Sequence, residues 1–586
     1  MIRHKGFVVA AVFLAALVSG GWFLQRETEP AGSVYQQARL FDDVLAHVAD
    51  YYVDSLDEKQ LYQMAIDGML DKLGDPYSVF LKPDDFRQLS EATTGNYSGL
   101  GIQIDVRDGW ITVVAPLPDT PAERAGIQTG DRIIQLDGRS TEGWKQDQAV
   151  KELRGPASTT AELTIRRAGV DQAIKFKVTR ATIHIRSVDP RITMMLDNRV
   201  GYIALSPVSE SSAREVSQAI DTLLKQGMKS LIFDLRGNPG GLLDQGVAVS
   251  DLFLDPDKEI VETRGRAPGS SHEFRDKNPQ PWPHLPIVVI VNGGTASAAE
   301  IISGALQDHD RALVVGTPTF GKGLVQSFWR LTPETGLKLT TARWYTPSGR
   351  TIQRVTKSEA EQEAQVIAAQ HGRDTKPDST LLFHTDAGRP VYGGGGIRPD
   401  VYVLADTFTT AERAFVKALG DKIPLYRDAL AAYALELKEG NRLPSPNFTV
   451  TTGMVDEVVR RVRAKGAELP DSVIAGARTL ISQEFGYEAA RYVFGRSVEF
   501  RRRIADDEQV KRALSLADRA KSPQDLLALV NPATPSTVRN RKPHSPPARS
   551  GSSGPVARAL DWRSRWPEPA TPSVSMGEKG KTYLNH

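Results

Sequence analysis

The stretch Ile287-Val-Val-Ile-Val-Asn-Gly-Gly-Thr-Ala-Ser297-Ala-Ala-Glu-Ile-Ile-Ser-Gly-Ala305 decides how the whole chain is read. Its uninterrupted apolar run, Ile287 to Val291, predicts a strand buried on both faces. Gly293 and Gly294 permit a sharp turn at positive φ. Ala296 to Leu306 is rich in Ala, Ile, Leu and Glu and predicts a helix. Ser297 therefore falls on a strand–turn–helix corner. Such a corner exposes a hydroxyl, directs free backbone N–H groups at whatever it attacks, and adds the positive end of a helix. The same residue also fits a plain helix N-cap.

Working outward, 586 residues imply several domains. A formal net charge of +2 gives no argument for nucleic acid. The chain has no cysteine, which excludes a thiol nucleophile, a Cys-ligated zinc and disulfides. Arg3, His4 and Lys5 precede an apolar run from Phe7 to Leu24. That order predicts a signal anchor over 1–26, with the N-terminus cytoplasmic and the remainder at the periplasmic face of the cytoplasmic membrane. Val18-Ser-Gly20 makes a poor cleavage site.

Residues 34–94 read as an N-terminal helical region, with Leu40, Val44, Leu45, Val48 and Tyr52 at helical spacing and a second helix from Glu58 to Leu73. Residues 95–182 are mostly β. An Asp108-Gly109 turn joins strands Leu100–Val106 and Trp110–Ala115. Thr120-Pro-Ala-Glu123 has the form of a capping box. Strand and helix order, with Tyr97-Ser-Gly-Leu-Gly101-Ile and Pro121-Ala-Glu-Arg-Ala-Gly-Ile-Gln-Thr-Gly-Asp131, resembles a bacterial PDZ domain. The resemblance implies a carboxylate-binding loop at Tyr97, Ser98, Gly99, Leu100 and Gly101, and a peptide strand laid along Ile102 to Ile104.

Residues 183–406 read as an α/β core interrupted by a polar insertion, 356–387. In this core a strand Ser230–Asp234 leads into Leu235-Arg-Gly-Asn-Pro-Gly-Gly241, where two glycines bring backbone close to a ligand or simply open the next helix. Residues 407–530 are nearly all amphipathic helix. Residues 531–586 have the composition of a disordered tail. The fold class is thus multidomain α+β.

A nucleophilic Ser297 needs a base. His309 lies twelve residues along the same helix, roughly 18 Å away, and cannot reach. Lys322, set between Gly321 and Gly323 among Phe320, Leu324 and Val325, is the alternative. Desolvation disfavours an ammonium and makes such a lysine basic enough to act near neutrality. Gln326 is placed to accept from its amine. Gly316-Thr-Pro-Thr-Phe-Gly321-Lys322 also matches a phosphate-loop pattern, but Gly323 stands where Ser or Thr should hold Mg²⁺, and a strand pattern follows.

Asp75-Pro-Tyr-Ser78, the PDZ phrases, Asp234-Leu-Arg-Gly-Asn-Pro-Gly-Gly241, Asn292-Gly-Gly-Thr-Ala-Ser297-Ala-Ala-Glu300, Gly321-Lys-Gly-Leu-Val-Gln326 and Leu337-Lys-Leu-Thr-Thr-Ala-Arg-Trp-Tyr-Thr-Pro-Ser-Gly-Arg350 resemble the carboxy-terminal processing proteases. The resemblance runs from about Val34 to Asp406. It implies Ser297 as nucleophile, Lys322 as general base and Gln326 as its orienting partner. It also implies an oxyanion hole from the Ala298 N–H and one of Gly240 or Gly241, with no metal or cofactor. The expected ligands are protein or peptide substrates held by their C-termini. An adaptor protein and a second copy of the chain are further expected partners, and nucleic acid is not one. The rival reading is a catalytically inactive PDZ scaffold. The long extension from Thr407 departs from shorter family members, and its role stays open between self-association, adaptor binding and packing on the core.

Overall fold

The computed structural model describes residues 31–355, 359–370 and 379–530. The tail 531–586 and the apolar run Phe7 to Leu24 lie outside them. Among the described residues no helix is long and apolar enough to cross a membrane. The reading of a membrane-anchored chain with a cytoplasmic N-terminus is corrected on that finding, and the localisation built on it is withdrawn.

The chain divides into two compact units. One holds the described residues up to Leu81 together with Phe328–Thr340. Its helices, Ala31–Tyr51 and Glu58–Asp71, follow the apolar spacing. They bury Leu61 and Leu70, but Leu40, Val44 and Tyr52 remain exposed, so less of this apolar face is covered than the spacing predicts. Strand Val79–Leu81 pairs antiparallel with Gly336, Leu337 and Lys338.

The other unit holds the described residues from Lys82 to Ser327 and from Thr341 on. At its centre is a six-stranded sheet in the order Met194–Met195, Val200–Ala204, Ser230–Asp234, Ile287–Val291, Leu313–Gly316, Val401–Tyr402. All neighbours are parallel except the first pair. Every residue from Ile287 to Val291 is buried, and the alternation of a strand explains how. Ile287, Val289 and Val291 pack under helices Ser212–Lys225, Leu243–Asp251 and Ala298–Asp308, alongside Val216, Val249 and Ile302. Val288 and Ile290 face the other way, onto Phe500, Ile504, Val510, Ala513 and Leu516. The second face of the protease sheet is thus covered by the chain's own C-terminal extension.

The PDZ-like sheet has the order Ile102–Arg107, Trp110–Pro116, Arg132–Leu136, Thr160–Arg166, Ile174–Thr179. Thr120 caps its short helix through the Glu123 N–H. Ile102–Arg107 is an edge strand, bonded on one side only, with helix Gln146–Leu153 packed nearby. The extension forms seven helices between Thr410 and Ala528. It reaches the PDZ-like sheet at the hairpin end of the edge strand. Arg427 meets Asp105 at 3.2 Å, Lys465 meets Asp108 at 2.6 Å, and Asp428 accepts the Asp108 N–H. Arg107 is buried there between Asp105 and Asp428.

Candidate active site

Ser297 sits at φ 54° and ψ −120° immediately before helix Ala298–Asp308. A non-glycine residue in that region carries strain on the order of 1–3 kcal/mol, which the surroundings must impose. They do so through hydrogen bonds on both sides of the corner. Asn292 Oδ1 receives the Gly237 and Gly294 N–H groups, Thr295 Oγ1 donates to the Leu235 carbonyl, and the Ala296 N–H donates to the Asn238 carbonyl. The Ser297 carbonyl receives the Glu300 N–H at 2.8 Å, and the Glu300 carboxylate receives the Ser297 N–H in return, so the corner also has the form of a capping box. Ala298 is buried, and its N–H has no hydrogen-bond partner among the described residues.

The two glycines after strand Ser230–Asp234 divide the work between them. The Gly240 N–H donates to Asn238 Oδ1 at 2.9 Å, whereas the Gly241 N–H has no partner among the described residues. The Gly240 carbonyl and the Leu242 N–H bracket Val208 in a parallel bridge, turning the Gly241 N–H to the other side. Gly240 has φ 88°, and a Cβ there would lie 2.8 Å from the Ala298 nitrogen and 2.8 Å from Ser297 Cβ. The missing side chain keeps open the space in front of the helix N-terminus.

Glu300 is fully buried, and four donors converge on it. Its Oε2 accepts the N–H groups of Ser297 and Lys322, each at 2.9 Å, and its Oε1 accepts the Thr319 hydroxyl and the Gly321 N–H at 2.7 Å. One oxygen thus holds the backbone of Ser297 and of Lys322 within twice that distance of each other. Burial pushes the carboxyl above its ordinary range against the pull of these donors. Sequence reasoning gave this residue no role, although a Glu three places after a helix-starting Ser was a usable signal.

Lys322 is half-buried in the loop before strand Leu324–Arg330, and its carbonyl accepts the Trp344 indole N–H at 3.0 Å. Arg354 and Gln353 hold the flanking glycines, through the Gly321 carbonyl and the Gly323 N–H. Gln326 lies within the strand, half-buried. The strand after Gly323 also agrees with setting the phosphate-loop pattern aside. His309 is engaged with Asp386 at 2.9 Å and the Glu259 carbonyl at 2.6 Å, and neither bond involves Ser297.

Of the residues proposed for peptide binding, Ile102 and Ile104 lie in the edge strand of the PDZ-like sheet, and one part of that reading changes. Tyr97, Ser98 and Gly99 are not a free loop but part of strand Asn96–Gly99, paired with Ala181–His184. Arg154 lies 4.9 Å over the Tyr97 ring, and burial raises the phenol to about 12. Leu100 and Gly101 remain as loop, their carbonyls tied to the Ala122 and Leu117 N–H groups. Their own N–H groups have no partner among the described residues, at the start of the edge strand that carries Ile102 and Ile104.

A strained strand-to-helix corner with a helix N–H left open beside the hydroxyl is how serine hydrolases present an attacking oxygen. Comparison with known proteins narrows the class. The profile of Peptidase family S41 matches residues 199–359, that of the PDZ domain residues 88–166, and that of the activating protease CtpB N-terminal domain residues 24–84. The carboxy-terminal-processing protease of Bartonella bacilliformis is 40% identical over 358 residues, 60% of this chain and 81% of that protein. The carboxy-terminal processing protease CtpA of Bacillus subtilis is 35% identical over 378 residues, 64% of this chain and 75% of that protein. A solved photosystem II D1 C-terminal processing protease aligns with 61% of this chain and 85% of its own, at 27% identity and a TM-score of 0.32. This chain belongs to the carboxy-terminal processing proteases of family S41, and it is a serine protease carrying a PDZ domain.

Proposed function

We propose that the chain cleaves protein substrates through an acyl-enzyme on Ser297, with Lys322 as the base. The observation that carries the proposal is the shared Glu300 carboxylate, which fixes the Ser297 corner and the Lys322 loop to one another while leaving the Ala298 N–H open. In the first step the neutral Lys322 amine takes the Ser297 hydroxyl proton as Oγ bonds to the scissile carbonyl carbon. Negative charge moves to the carbonyl oxygen, where the N–H groups of Ala298 and Gly241 receive it. Lys322 then gives its proton to the departing amine nitrogen, the C–N bond breaks, and an ester remains on Ser297. Water repeats the sequence, with Lys322 again taking and returning the proton, and releases the acid. Gln326 orients the Lys322 amine.

The place of Ile102–Arg107 at the end of its sheet and the open N–H groups of Leu100 and Gly101 support capture of a substrate's C-terminal carboxylate by strand addition. Ser297, Lys322 and Gln326 all being present argues against an inactive scaffold. The test is hydrolysis of dye-labelled casein, an unfolded chain with a free C-terminus. Wild type is expected to cleave it, while Ser297→Ala and Lys322→Ala lose at least about a thousandfold in kcat. Wild-type turnover in either variant overturns the mechanism.

A further inference from the structure

We infer that Asp507, with Gln509 beside it, is a positioning residue: from the C-terminal extension it fixes Arg236 and, through it, the glycine turn facing Ser297. The inference rests on the reading of that turn as one wall of the oxyanion hole. Arg236 opens the turn. Asp234 holds its backbone N–H at 2.9 Å and its guanidinium at 2.6–3.0 Å. Asp234 is itself fixed by the Tyr202 hydroxyl at 2.6 Å. The remaining guanidinium arm, Nη1, reaches out of the core to the extension, meeting Asp507 Oδ2 at 2.6 Å and Gln509 Oε1 at 3.0 Å. The Arg236 and Asp507 side chains are only 9% and 18% exposed.

Both partners are rigidly held. Asp507 caps helix Glu508–Ala517, its Oδ1 accepting the N–H groups of Gln509 and Val510. Gln509 donates to the Val403 carbonyl at 2.8 Å, just past the last strand of the protease sheet. Val510, Ala513 and Leu516 of the same helix are buried against that sheet. The position of this helix is therefore transmitted to Arg236. Beyond Arg236 the turn runs through Gly237 and Asn238, bonded to the Ser297 corner, to Gly240 and Gly241. An oxyanion hole tolerates errors of about 0.5 Å, so an anchor at the root of the turn affects turnover without touching substrate.

Asp507→Asn separates the two duties of this carboxylate. Asparagine caps a helix as well as aspartate does, but it puts no charge opposite Arg236. With dye-labelled casein as substrate for the full chain, Asp507→Asn is expected to lower kcat about 10- to 100-fold at unchanged KM and with the same thermal unfolding profile. Gln509→Ala, which keeps the cap and the charge, is expected to lower kcat less, again at unchanged KM. Wild-type kcat in Asp507→Asn, or a loss no larger than its unfolded fraction, overturns the inference. If Asp507→Asn does not fold, Gln509→Ala decides, wild-type kcat overturning the inference and a kcat-only loss supporting it. Gly240→Ala, which fills the space before the Ala298 N–H, tests the underlying reading. Its inactivity beside a fully active Asp507→Asn leaves the oxyanion turn standing and removes only the role of Asp507. Its full activity removes the oxyanion turn itself.

Discussion

Ser297 holds a backbone conformation that no local preference supplies, and the residue that answers for it is Glu300. A carboxylate accepts four hydrogen bonds and donates none, which matches the two N–H groups on Oε2 and the hydroxyl and N–H on Oε1. Glutamine at this position is nearly isosteric but must turn an NH₂ toward two donors. Each donor left without an acceptor costs about 1–3 kcal/mol. Glu300→Gln is therefore expected to fold and to lose about a hundredfold or more in kcat, read from casein hydrolysis beside a circular-dichroism check of folding. A kcat within about threefold of wild type would contradict the account. At this scale the sequence was partly legible. Ser297 announced itself by standing after a five-residue apolar strand and a double glycine. Glu300 did not, because its partners Thr319, Gly321 and Lys322 are about twenty residues away and meet it only in the fold. That the Gly240 N–H is engaged by Asn238 also was not legible, since only coordinates show hydrogen-bond direction.

Among the elements, Ser230–Asp234 and Ile287–Val291 matched the expected strands residue for residue, because a short apolar run buried in a parallel sheet stands out from its polar and glycine-rich flanks. A helix after Gly241 was expected and is Leu243–Asp251, whereas strands Glu259–Gly265 and His272–Arg275 were not foreseen. Their residues are mixed in polarity, and Glu259–Gly265 is fixed by pairing with Gly336–Tyr345, far along the chain. Strand Asn96–Gly99 was read as loop for the same reason. Its partner, Ala181–His184, lies beyond the whole PDZ-like sheet. The extension was legible as helix but not as cover, and its internal tie is electrostatic. Glu499 is buried against Arg491 at 2.8 Å and Arg503 at 2.8 Å. Burial alone would push its carboxyl up, but the two guanidinium groups outweigh it and hold the pKa down from 4.5 to about 2. A depressed carboxylate contributes stability that is complete above its unfolded value and is lost as pH falls through the folded one, here between about pH 4.5 and 2, amounting to about 3 kcal/mol. Amide protection in residues 471–506, taken relative to the intrinsic exchange rate at each pH, should therefore fall over that interval in wild type. Glu499→Gln should show low protection already at pH 7, with the difference closing toward about pH 2. A wild type whose exchange keeps its neutral-pH protection at pH 2 would contradict this.

Across the whole described chain, the fold continues past Asp406 into the helical extension. Its last helices cover one face of the protease sheet, and its earlier ones hold the hairpin end of the PDZ edge strand through Asp105 and Asp108. Packing on the core is thus one of the three roles the sequence left open, and it is the one these contacts display. What this assembly surrounds is a hydroxyl, and the account stands on that hydroxyl forming an ester. The most direct test is a rapid acid quench of the full chain with casein, followed by proteolytic mapping and mass spectrometry of the peptide that carries Ser297. The account predicts an acyl mass increment on Ser297 in wild type, none in Ser297→Ala, and a much slower build-up in Lys322→Ala. An increment on any other residue, or undiminished casein cleavage by Ser297→Ala, would contradict it.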